Sequence, residues 1–353
     1  MLMNIKPMTT ITKKSKILYD CHPDTIPEEV YTSTEPIILK GLVKNWPLTK
    51  VGLDSDEKAI DMLKSFYSGK PSSVYFGDAG INRFGYNEDI SKLNFEIRKA
   101  QIDEILDELL LTINDPQPPI RYIASNIIDI YFPKLIEEHN LPFSGNYFEA
   151  NPLEYADPLK GIWIGNKTLS PCHYDAQSNI ACVVVGKRKF TLFPPEQVNN
   201  LYPGPLELNP GGPAITMVDF DNPDFEKYPR YRNAIPIGQI AELEAGDAIF
   251  IPCMWWHQVQ SLSPFNVLIN YWWNSFPKIR GQAMHALKLA LLSIRDRPEQ
   301  ERQAWKHLFD YYVFGDSQHA AEHLPAAARG LLGPINDTAV RQLRAELLQK
   351  LNR

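Results

Sequence analysis

The sequence predicts a mainly β fold with α-helices at both ends, its centre a barrel or jelly roll. Three observations predict it. Between about Gly161 and Trp273, short β-branched or aromatic runs (GIWIGN, NIACVVVG, KFTLFPP, DAIFIP, FNVLINYWW) alternate with Pro and Gly. Closely spaced strands punctuated in this way close into barrels or jelly rolls. On either side, apolar residues recur at helical rather than strand spacing.

Taken in order, Pro36 to Leu48 (PIILKGLVKNWPL) reads as a strand at a sheet edge that stops at Trp46-Pro47. Helices are expected over Asp56 to Tyr67 and Asn94 to Leu111, the latter with Ile97, Ile102, Leu106 and Leu110 near one face. A third amphipathic helix is expected from Ile127 to His139, ended by Asn140 and the Leu141-Pro142 step. Inside the β region, Leu201 to Pro236 is a Pro- and Tyr-rich insert, too long for a hairpin turn and read as a lid. From Lys278 the pattern is helical again. Met284, Leu287, Leu291 and Ile294 form one stripe, Trp305, Leu308 and Phe309 another, and Val340, Leu343, Leu347 and Leu351 a third. The expected organisation is residues 1–120 as a flanking strand and helices, 121–276 as the barrel, and 277–353 as a helical region that caps it or pairs two subunits.

With 353 residues, 44% hydrophobic and 22% charged, the chain can bury a substantial core. A net charge of −6 argues against a phosphate-binding surface, so no nucleic-acid partner is expected. The opening MLMNIKPMTTITKKSK lacks the apolar core of a secretory signal and no run suits a bilayer, so a cytoplasmic protein without membrane contact is expected. Cys21, Cys172, Cys182 and Cys253 form no CxxC pair and read as reduced, mostly buried thiols.

The chemistry concentrates in SPCHYDAQSN. His173 and Asp175 are two residues apart, so an extended strand turns both side chains to one face. A third ligand must come from elsewhere, and His257, in GDAIFIPCMWWHQV, lies at the far end of the barrel sequence. Two His and one carboxylate on one face of an octahedron leave three positions open, the arrangement of non-haem Fe(II) oxygenases. An HxD tripeptide alone is a weak signal, and His257 alone reads equally well as a core histidine bonded to a backbone carbonyl. Trp255 and Trp256 are expected to buttress His257.

The segments SPCHYDAQSNIACVVVGKRKFTLFPP, VDFDNPDFEKYP and GDAIFIPCMWWHQVQSL, with INYWW after them, resemble the JmjC and cupin-like 2-oxoglutarate oxygenases. Within these they are similar to the asparaginyl hydroxylase factor inhibiting HIF. The resemblance is strongest from about Trp163 to Trp273 and implies a double-stranded β-helix. It implies Fe(II) held by His173, Asp175 and His257, with 2-oxoglutarate as cosubstrate and O2 as oxidant. It assigns the cosubstrate to Tyr122, Ser170, Asn179, Arg188 and Asn270. Ser170 stands where the relative has Thr, and Arg188 where many relatives carry Lys; a guanidinium can clamp a carboxylate through two bonds but needs more room. Strand alternation turns Lys187 and Lys189 away from the Arg188 face.

The activity implied is hydroxylation of an amino-acid side chain in a protein or peptide, releasing succinate and CO2, with a homodimer formed through the C-terminal helices. N-methyl demethylation and small-molecule hydroxylation use the same machinery. Two other classes stay open: a metal cupin that works without 2-oxoglutarate, for which Arg188, Ser170 and Tyr122 are unneeded, and a metal-free scaffold.

Overall fold

The computed structural model describes residues 10–143, 158–274, 280–316 and 318–352. It divides into two compact units, Met1–Ser275 and Phe276–Arg353.

In the first unit the strands are β1 (Lys16–Leu18), β2 (Ile37–Leu39), β3 (Ser72–Gly77), β4 (Glu96–Ala100), β5 (Ile120–Ile127), β6 (Leu159–Gly165), β7 (Leu169–Tyr174), β8 (Ser178–Val185), β9 (Lys187–Phe193), β10 (Gln239–Glu244), β11 (Ala248–Ile251), β12 (Trp256–Ser261) and β13 (Asn266–Trp273). They form two sheets. A nine-stranded sheet runs β1-β2-β11-β8-β13-β6-β5-β3-β4, and a four-stranded sheet runs β10-β9-β12-β7. The strands from β6 onward supply four to each sheet, in the alternation of a jelly roll, and β1 to β5 widen the larger sheet at both edges. Strands from the first 120 residues are thus hydrogen-bonded into the same sheet as the barrel strands.

The helices are α1 (Glu28–Tyr31), α2 (Pro47–Asp54), α3 (Asp56–Phe66), α4 (Ile102–Leu111), α5 (Ile128–Tyr131) and α6 (Tyr231–Ala234). Sequence explains where they begin. Pro47 opens α2, where its missing N–H is no loss. Ser55 caps α3 by accepting from Lys58 N, with Asp56 and Glu57 in the first turn facing the positive end of the helix dipole.

Two layers of core follow. Ala181, Val183, Phe190, Leu192, Leu243, Ile249, Ile251 and Leu268, from strands of both sheets, pack into one cluster. Leu48, Ile60, Leu63, Ile105, Leu106 and Phe132 pack against the outer face of the larger sheet. The barrel region, the strand at Ile37 and the helix from Asp56 agree with the sequence reading.

Three expectations need correction. The stretch from Asn94 to Leu111 is not one helix: Glu96–Ala100 is the edge strand β4, with Ile97 49% exposed, and the helix starts at Ile102. The stretch from Ile127 to His139 is not a helix either. Ile127 ends β5, α5 makes one turn, and Pro133 stops it, because Phe132 before a proline is pushed out of helical geometry (φ −139°, ψ 53°). The strand at Ile37 is also not the sheet edge, since β1 pairs with it in parallel. Cys172 and Cys182 are buried, Cys21 is half-buried and Cys253 is exposed, all as free thiols.

In the second unit, helices α7 (Ala283–Ser293), α8 (Glu299–Phe309) and α9 (Asp337–Leu351) realise the three predicted stripes, α9 capped by Asn336 accepting from Ala339 N. Among the described residues no helix is long and apolar enough to cross a membrane.

Candidate metal and cosubstrate site

His173 lies on β7 and His257 on β12, and antiparallel pairing sets the two residues directly opposite each other. Their rings face at 4.5 Å between centroids. Asp175 follows the end of β7, and its Oδ2 lies 3.7 Å from His257 Nε2. One ligand atom from each of the three residues falls within 4.8 Å of the others. The register between β12 and β7 shifts just after His257, a local irregularity of the kind found beside active sites.

Backbone carbonyls fix both rings. His173 Nδ1 lies 2.8 Å from Pro171 O and His257 Nδ1 lies 3.0 Å from Trp255 O. A carbonyl only accepts, so each Nδ1 carries the proton and each Nε2 keeps its lone pair for a ligand. The carbonyl-bonded histidine and the metal ligand are therefore the same arrangement. Burial, with His173 beside it, holds His257 well below the usual imidazole range, which Asp175 only partly offsets. A neutral imidazole is the form that binds metal. Trp272 Nε1 donates to Asp175 Oδ2 at 3.1 Å and so orients the carboxylate. The main chain of the β11–β12 turn holds the same residue, with Met254 N donating to Asp175 O at 2.7 Å.

The triad opens on a cavity of about 250 Å³ between the sheets. Tyr122 on β5, Ser170 on β7, Asn179 on β8, Arg188 on β9 and Asn270 on β13 all line it, so five strands bring the five predicted cosubstrate residues to one space. Arg188 is 2% exposed, and its Nε and Nη2 meet no hydrogen-bond partner among the described residues. Its neighbours turn outward as alternation requires: Lys187 is exposed and pairs with Glu244. A buried charge left without a partner costs several kcal/mol, a cost that an anion in the cavity would offset.

Donor chemistry of this kind fits the cofactors that the sequence resemblance implies. Two imidazoles and a carboxylate suit Fe(II), and a guanidinium with unpartnered donors in the same cavity suits the distal carboxylate of 2-oxoglutarate.

Sequence reasoning missed part of the wall. Trp163, Ser125, Tyr75 and Phe84 also line the cavity. Gly161, Trp163 and Gly165 share one face of β6 by simple alternation, a signal that was available for Trp163. Ser125, at φ 51° beside the register shift of β5, carries no such signal. Trp272 faces the cavity, whereas Trp273 packs with Tyr31 and Phe250 in the core. The insert from Leu201 to Pro236 is largely not a cover over the cavity. Leu201, Val218, Tyr231, Ala234 and Ile235 pack with Cys172, Phe193 and Trp256 of the smaller sheet, and only Pro210, Gly211, Pro213 and Ile215 reach the cavity.

Residues 23–279 match the family model described as a cupin-like domain. The chain belongs to the cupin-like family. Its relatives include JmjC domain-containing protein D of Dictyostelium discoideum, 29% identical over 65% of this chain and 49% of that protein. A tRNA wybutosine-synthesizing protein 5 of Gallus gallus is 27% identical over 78% of this chain and 86% of that protein. A lysine-specific demethylase 8 of Danio rerio is 28% identical over 68% and 53%. The chain thus spans about half the length of the first and third of these relatives. The JmjC likeness and the jelly-roll fold read from the sequence both stand at the level of this family.

Proposed function

We propose that this cupin-like protein is an Fe(II) and 2-oxoglutarate dependent oxygenase that hydroxylates an amino-acid side chain of a protein or peptide. The observation that carries the reading is Arg188, buried and with no partner for Nε and Nη2 among the described residues, in the cavity that also holds the His173, Asp175 and His257 triad. A metal cupin working without a dicarboxylate has no use for that charge.

His173, Asp175 and His257 would hold Fe(II), leaving the cavity side of the metal open. Arg188 would pair with the distal carboxylate of 2-oxoglutarate, helped by Tyr122 and Ser170. With O2, this pair of cofactors supplies the oxidising chemistry that places one oxygen atom in a substrate C–H bond and releases succinate and CO2. The chain's own residues bind, orient and exclude water; the apolar lining of Tyr75, Phe84, Trp163 and Trp272 keeps the reacting space dry. No side chain is required as a general acid or base.

The resemblance to an asparaginyl hydroxylase favours side-chain hydroxylation. The relative named as a lysine-specific demethylase keeps N-methyl removal, which begins with the same hydroxylation, as the second reading. Succinate release from 2-oxoglutarate is the test, using anaerobically purified protein given Fe(II), ascorbate and air, beside His173→Ala and Asp175→Ala. Turnover that disappears in both variants supports the reading. Absence both of turnover and of 2-oxoglutarate binding to the metal-loaded protein sinks it.

A further inference from the structure

Three side chains on the neighbouring strands β6, β13 and β8 form a line of hydrogen bonds along the cavity wall. Trp163 Nε1 donates to Asn270 Oδ1 at 2.9 Å, and Asn270 Nδ2 donates to Asn179 Oδ1 at 3.3 Å. The direction of this line is forced. An indole has one donor and no acceptor, so the atom of Asn270 that meets it must be the amide oxygen. The nitrogen of Asn270 then faces Asn179, and only the oxygen of Asn179 can receive it. Asn179 Nδ2 is left over: it lines the cavity side of the pair, and no hydrogen bond to an acceptor among the described residues engages it. Asn179 lines the same cavity as the triad.

We infer that Trp163 is a positioning residue that sets the polarity of the Asn270–Asn179 amide pair, so that Asn179 offers N–H donors to a carboxylate bound at the metal end of the cavity. Asn179 belongs to that end because its backbone pairs with Trp272, whose indole holds Asp175. Arg188 stands on the opposite sheet. The cavity so arranged has two separate donor stations, one charged and one neutral, as a dicarboxylate needs. That this dicarboxylate is 2-oxoglutarate rests on the function proposed above; the amide polarity does not.

Without the indole N–H the pair loses its bias. Both amides can turn together and keep one N–H···O bond between them, now reversed, with the Asn179 oxygen facing the ligand and repelling it. On this view Asn270 acts through Asn179 rather than on the cosubstrate itself.

Two variants separate polarity from packing. Trp163→Phe keeps most of the ring and removes the donor. Asn270→Asp keeps an acceptor for Trp163 but presents only oxygen to Asn179, which must then turn its nitrogen inward. Calorimetric titration of 2-oxoglutarate into the Zn(II)-loaded protein is expected to show affinity weakened roughly five- to tenfold in each variant, the scale of one hydrogen bond. Zn(II) affinity should stay within about twofold, because neither change touches a ligand. Hydrogen exchange of the Trp163 indole N–H, followed by ¹⁵N NMR, supplies a reading that needs no cosubstrate. Protection is expected in the wild type and in Asn270→Asp, and fast exchange in Asn270→Leu. Unchanged 2-oxoglutarate affinity in both variants overturns the inference, and so does an indole that exchanges as fast in the wild type as in Asn270→Leu. If the wild type binds Zn(II) but not 2-oxoglutarate, the proposed function fails instead, and the indole exchange alone decides the polarity.

Discussion

Arg188 is the residue whose chemistry depends most on what the cavity holds. Its charge sits at 2% exposure without a partner on Nε or Nη2, so it destabilises the empty protein and favours an anionic ligand. Arg188→Met is therefore expected to leave the melting temperature of the metal-free protein unchanged or raised. The same variant should weaken 2-oxoglutarate binding at least tenfold, the loss of a hydrogen-bonded charge pair being worth about 1.5–3 kcal/mol. Thermal melts and a titration check the two halves. Titration of the histidines gives a second expectation. His257 is held below the ordinary imidazole value of 6.5, by burial first and by His173 next, and burial does the same to His139, whose Nε2 accepts from Leu48 N at 2.9 Å. A histidine depressed in the fold binds its proton more readily in the unfolded chain, so its stabilising contribution is complete above about 6.5 and is lost as pH falls below that value. Urea midpoints of the metal-free protein should thus drop between pH 7 and pH 5. His139→Gln, which can still accept from Leu48, should drop less. The triad was legible at this scale because HxD spacing and strand alternation need no tertiary knowledge. That Arg188 Nε and Nη2 meet no partner among the described residues was not.

Among the elements, β6 shows how little room the site leaves. A Cβ on Gly165 would lie 2.5 Å from Tyr122 Cδ2 and 2.8 Å from Arg121 O, and one on Gly161 would lie 2.6 Å from Asn270 Oδ1. The glycines let the cavity-lining residues of β5 and β13 cross the strand between them. Gly165→Ala is expected to cost about 1–3 kcal/mol by overpacking and to displace Tyr122. Denaturant unfolding reads the first effect, and loss of 2-oxoglutarate affinity beyond that of a Tyr122→Phe variant reads the second. The errors of the sequence reading also belong to elements. Ile97 matches the apolar spacing of the helix that follows, yet Glu96–Ala100 pairs with β3, because an open sheet edge offered backbone partners that periodicity does not register. Pro133 ended the supposed helix after Ile127 through plain local chemistry that apolar spacing obscured.

At the scale of the molecule, the metal triad ties β7 to β12, two strands far apart in sequence, so metal binding should act as a clasp on the fold. Metal at about one hundred times its dissociation constant should stabilise the protein by about 2.7 kcal/mol, seen as a raised melting temperature. His173→Ala should show no such rise. In the second unit, Leu347, Leu348 and Leu351 of α9 are 40%, 62% and 54% exposed within the single chain. We propose that this surface pairs two subunits, which predicts twice the chain mass by light scattering and a monomer on Leu347→Glu substitution. By itself, the sequence determined the mainly β class, the stretch from Gly161 to Trp273 as barrel, the helices after Lys278 and which three residues, His173, Asp175 and His257, meet in the candidate metal site. Each of these depends on local period and punctuation, which a chain carries along its length. Only the tertiary structure decided that β1 to β5 extend the same sheet, that the insert packs mainly behind the smaller sheet, and that Trp163 meets Asn270. Those are contacts between residues distant in sequence, and no local pattern specifies which strand edge or side chain will be there to meet.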